Sequence, residues 1–62
     1  MILKKSDVKF IEDNSKEMME KMKEYRAITG KGWPPFNYEL GYANVKEWYE
    51  ALLAEIKALK KQ

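Results

Sequence analysis

Cysteine and histidine are both missing from this 62-residue chain. Without cysteine there can be no disulfide and no thiolate metal site. Without histidine the commonest transition-metal ligand and the commonest general base are gone as well. Arginine occurs once, at Arg26, against eleven lysines. Lysine is a hydrated point charge, whereas arginine is the planar fork that grips phosphates and base edges. The balance therefore favours solubility over nucleic-acid recognition, and a net charge of +2 is too small to reverse that. Long apolar runs are absent too. No stretch approaches the roughly 20 residues a membrane span needs, and Met1-Ile2-Leu3 is too brief for a signal-peptide core. These absences predict a cytoplasmic protein with no membrane contact, no cofactor, no metal and no small-molecule substrate.

Catalytic patterns are equally scarce. The two serines, Ser6 and Ser15, have no base of the usual kind available. The carboxylates are scattered among lysines without the clustering a metal requires. Gly30-Lys31-Gly32 is too short for a phosphate loop and would follow a helix rather than a strand. A non-enzymatic protein is expected.

What the chain does have is two charged, apolar-periodic segments around one unusual stretch. All three glycines and both prolines lie between Gly30 and Gly41, interleaved with Trp33, Phe36, Tyr38 and Leu40. Before it, Val8, Ile11, Met18, Met22 and Tyr25 recur at three-four spacing, with Ser15 and Thr29 in the same stripe. Met19 and Ile28 widen that stripe. Ser6 is the expected cap, and Asp7 places negative charge at the positive end of the helix dipole. A competing start lies at Asn14, where Asn14-Ser15-Lys16-Glu17 has a capping-box pattern. Because the apolar phase passes through Ser15 unbroken, one helix over about 6–29 is the preferred reading. Gly30 is placed to close it in a left-handed conformation.

After it, Trp33-Pro34-Pro35 predicts an extended, polyproline-like path, since each proline fixes φ and biases its predecessor away from helix. Pro35 could open a short helical turn over 35–41, stopped at Gly41. Asn44 and Glu47 then form a second capping box, and Val45, Trp48, Tyr49, Leu52, Leu53, Ile56 and Leu59 give an apolar face over a helix of about 44–61.

The pattern predicts a single all-α domain, 1–62: a helical hairpin of two long amphipathic helices joined by an aromatic, Pro/Gly-rich connection at 30–43. A chain this small hides only about 60% of its unfolded surface, and with neither disulfide nor metal the remaining support is self-association. Pairing of two hairpins into a four-helix bundle is expected. The candidates for that contact are Met18, Met22, Leu52, Leu53, Ile56 and Leu59, with Ser15 as a polar residue fixing register.

Two surfaces could serve a partner. Trp33, Phe36, Tyr38, Leu40 and Tyr42 are expected to plug the core, packing on Tyr25, Ile28, Trp48 and Tyr49; the functional alternative, with Trp33, Phe36, Tyr38 and Tyr42 as candidates, leaves Trp33 and a tyrosine partly exposed as an anchor patch for a macromolecule. At the other end, an antiparallel hairpin would gather Met1, Lys4 and Lys5 with Lys57, Lys60 and Lys61, an electrostatic footprint for phosphate or an acidic protein. Size and the lysine-heavy composition suit a small accessory protein of a bacterium or a phage. The leading expectation is a self-associating protein-interaction module that regulates a protein partner. The alternatives are a non-specific nucleic-acid-binding protein using the lysine end, and a purely structural assembly subunit.

Overall fold

The computed structural model describes residues 3–61 and contains two helices packed against each other, with a short 3-10 turn between them. Helix α1 spans Lys5–Thr29 and helix α2 spans Val45–Lys60; the turn is Tyr38–Leu40. Among the described residues there is no strand.

Helix α1 starts one residue before Ser6. The capping position is Lys4, and no side chain caps it; the first helical bond runs from the Val8 amide to the Lys4 carbonyl. Nor does α1 restart at Asn14. The Asn14 side-chain amide donates 2.9 Å back to the Phe10 carbonyl, so its polar atoms are satisfied inside a continuous helix. Gly30 ends α1 at φ 75°, its amide donating 2.8 Å to the Arg26 carbonyl, as its left-handed placement predicts. The short turn begins later than Pro35 would set it. Asn37 caps it by accepting from the Glu39 amide at 2.9 Å, and Gly41 closes it at φ 94°. In α2, Asn44 accepts from the Glu47 amide at 2.9 Å, while the Glu47 carboxylate reaches back to the Ala43 amide at 2.8 Å. That is the capping box, displaced by one residue on its return bond.

The two helices lie side by side, but they run in the same direction. Asp7 in the first turn of α1 accepts from the Val45 amide at the start of α2. Phe10 meets Tyr49 edge-on with ring centres 6.1 Å apart. Glu24 near the end of α1 pairs with Lys60 at the end of α2. The connection therefore carries the whole return journey. From Thr29 back to the level of Asp7 is about 33 Å at 1.5 Å per residue, more than any tight turn can cross. Residues 30–44, extended by Pro34 and Pro35 at about 3.1 Å per residue, cover it with room for the 3-10 turn.

This corrects the antiparallel expectation and dissolves the lysine footprint that rested on it. Lys4 and Lys5 sit where α2 begins; Lys57, Lys60 and Lys61 sit at the far end. Met1 lies outside the described residues.

The core is the apolar face of α2 against α1. Met18, Val45, Trp48, Tyr49, Leu52 and Ile56 are buried, with Val45 and Leu52 fully so. The third layer is the returning arm. Trp33 stacks edge-on against Tyr25 at 5.1 Å, Phe36 meets both Tyr38 (4.7 Å) and Trp48 (6.3 Å), and Trp48 Nε1 donates 2.9 Å to the Pro34 carbonyl. Burial, followed by the Glu17 carboxylate, pushes the Tyr49 hydroxyl up to about 12, so this ring enters the core as a neutral phenol.

Candidate partner-binding surface

The arm is built like a brace with an anchor at each end. At one end, Tyr38 donates 2.5 Å to Asp7 Oδ2 and accepts from the Lys4 amide at 3.2 Å, while Asp7 Oδ1 accepts from the Val45 amide at 3.0 Å. One carboxylate thus ties α1, the arm and α2 together. Asp7 is 3% exposed, the only charged residue among those described to be buried. The Tyr38 hydroxyl, then the Val45 amide, hold its carboxyl below the usual range against the opposing effect of burial. The same hydrogen bond pushes the Tyr38 hydroxyl up. The Lys4 ammonium stands 5.5 Å from the Tyr38 ring centre, a cation–π arrangement.

At the other end, Trp33 lies over the last turns of α1. Beside it is an open hollow of about 180 Å³ lined by Met22, Lys23, Arg26, Gly32 and Trp33. The indole Nε1 of Trp33 is buried and has no hydrogen-bond partner. Among the described residues neither Lys23 nor Arg26 forms an ion pair. Two unpaired cations, an indole and a thioether thus line one place, a combination suited to a carboxylate carried on an apolar stem.

The structure divides the sequence candidates. Trp33, Phe36, Tyr38 and Tyr42 are all half-buried and lie along the core, Phe36 and Tyr38 through ring contacts and Tyr38 through Asp7. Of the self-association candidates, Met18, Leu52 and Ile56 are taken up by the chain's own core, while Met22, Leu53 and Leu59 are half-buried. Lys60 is paired with Glu24, whose carboxyl is lowered chiefly by that contact.

Sequence reasoning missed Asp7 as a cross-chain anchor, because a first-turn acid looks like an ordinary dipole partner. It also missed Arg26 and Lys23 as neighbours of Trp33. The lone arginine, one turn before a helix-ending glycine that leads into Gly-Trp-Pro, was the available signal. Among the described residues no group of three acidic side chains is placed to hold a metal ion, and no helix is long and apolar enough to cross a membrane. Compared with family models, curated proteins and solved structures, the chain matches none of them.

Proposed function

We propose that this protein is a small non-enzymatic protein-interaction module. It takes an acidic side chain of a macromolecular partner into the Trp33 hollow, regulates that partner by occupancy, and works as a self-associated bundle. The observation that supports this reading is the meeting of Lys23, Arg26, Met22 and Trp33 around one opening. Whole-ligand pockets measure roughly 300–1,000 Å³, and a hollow of about 180 Å³ takes one side chain rather than a cofactor. A guanidinium beside an indole favours a carboxylate held against an apolar neighbour, because the fork supplies paired donors and the ring supplies contact area.

The test is a binding screen against immobilised peptides that carry Glu or Asp next to a large apolar residue, paired with the same peptides bearing Gln or Asn. The acidic peptides should bind, and Arg26→Gln should weaken them at least tenfold while leaving helix content nearly unchanged, because Arg26 is exposed. Equal binding of the amide peptides rules the reading out. Duplex DNA titrated between 50 and 200 mM salt is the counter-test. A nucleic-acid protein loses affinity steeply over that range, and such a loss here would favour phosphate-backbone binding over the carboxylate reading.

A further inference from the structure

We infer that a second copy of this chain docks antiparallel along the exposed edge of α1, with Ser15 of each copy on the two-fold axis. This deepens the self-association in the reading above and rests on it. Beside the face of α1 that meets α2 runs a second line of side chains: Val8, Ile11, Ser15, Met19 and Met22. Val8 is 39% exposed and Met19 58%, while Ile11 and Met22 are half-buried against the core and Ser15 is exposed. On a helix at 100° per residue these five lie within an arc of about 80°.

Their spacing reads the same in both directions. Val8 and Met22 each lie seven positions from Ser15, and Ile11 and Met19 each lie four. A two-fold axis through Ser15 then sets an apolar residue opposite an apolar residue at each step of the line, because reversing the helix superimposes the line on itself. Val8 then meets Met22 of the second copy at the rim of the Trp33 hollow, Ile11 meets Met19, and the two serines face each other. On the solvent flank, Glu12 precedes Ser15 by three positions and Lys16 follows it by one. Reversal brings each Glu12 within about 3 Å along the axis of Lys16 in the second copy. Lys4 and Arg26, both exposed, bound the apolar run at its ends and oppose each other there.

The absence of cysteine makes the test direct. Ser15→Cys, oxidised mildly at micromolar concentration, should convert to a disulfide dimer at least tenfold faster than Asp13→Cys, which lies on the opposite side of α1. Met19→Lys should weaken dimerisation at least tenfold in sedimentation while its circular dichroism matches the wild type, because Met19 supports little of the monomer. If the wild type sediments as a dimer but Ser15→Cys crosslinks no faster than the control and Met19→Lys leaves the dimer intact, this docking mode is wrong and self-association stands. If the wild type remains a monomer at hundreds of micromolar, both fail.

Discussion

Asp7→Ala should lower the melting temperature by on the order of 10 °C or more, with loss of helix content measurable at 25 °C. The substitution removes no apolar area of consequence. It strips the acceptor from two donors at once, the Tyr38 hydroxyl and the Val45 amide. The second is a helix-end N–H that the fold buries, and an unmade bond there costs more than a made one contributes. The same carboxylate sets a pH dependence whose sign follows from its environment. Its pKa is depressed in the folded state, so its contribution is fully present above the unfolded value of about 3.9 and is lost as pH falls through the lower folded value. Thermal stability should therefore be flat between about pH 5 and pH 9 and fall below about pH 4. Asp7→Asn should flatten much of that fall, and Tyr38→Phe part of it. Glu24 is lowered in the same direction by Lys60, but it is more open to solvent and should matter less. An Asp7→Ala protein melting within two or three degrees of the wild type would show that the anchor is ornamental.

Leu52→Ala is the second large effect. Leu52 is fully buried, and truncating such a leucine typically costs about 2–5 kcal/mol through lost transfer energy and the cavity left behind. A domain of this length holds about 3–9 kcal/mol in all, so one substitution consumes much of the margin. Leu53 is the internal control. It follows Leu52 directly on α2 but sits at the edge of the core, half-buried. Urea unfolding of the two variants should place the Leu52→Ala midpoint clearly below that of Leu53→Ala. Equal midpoints would mean that the buried face of α2 has been assigned wrongly.

The local features of this fold were legible in the sequence, and the long-range one was not. Asn44, Glu47, Gly30 and Gly41 act on neighbours within four residues, so their identities were enough to place caps and helix ends. The proline pair announced an extended path. Whether that path turned back at once or ran the length of α1 depends on Tyr38 finding Asp7 thirty-one residues earlier and Val45 finding it from thirty-eight. Nothing in spacing or composition marks those pairs. The lysine footprint followed from the wrong helix direction and fell with it. Ser6 looked like a cap because of its residue type, yet the helix begins with Lys4 in the capping position and no side chain doing that work. The Trp33 hollow stayed hidden for a related reason: Arg26 and Lys23 read as solvated charges until the arm laid an indole beside them.

The shared direction of the two helices has a kinetic consequence. In a hairpin whose helices oppose, the first pairs to close are a few residues either side of the turn, and the rest zip up behind them. Here the cross-helix pairs are almost equally remote: Asp7 with Val45 is separated by 38 residues, Phe10 with Tyr49 by 39, and Glu24 with Lys60 by 36. The near-sequence contacts join the arm to a helix, Trp33 to Tyr25 and Pro34 to Trp48; no helix–helix pair is cheap, so much of the loop-closure entropy is met before the two helices reward each other. Assembly should therefore be slow for so short and so helical a chain, and stiffening the route between the helices should speed it more than strengthening either helix alone.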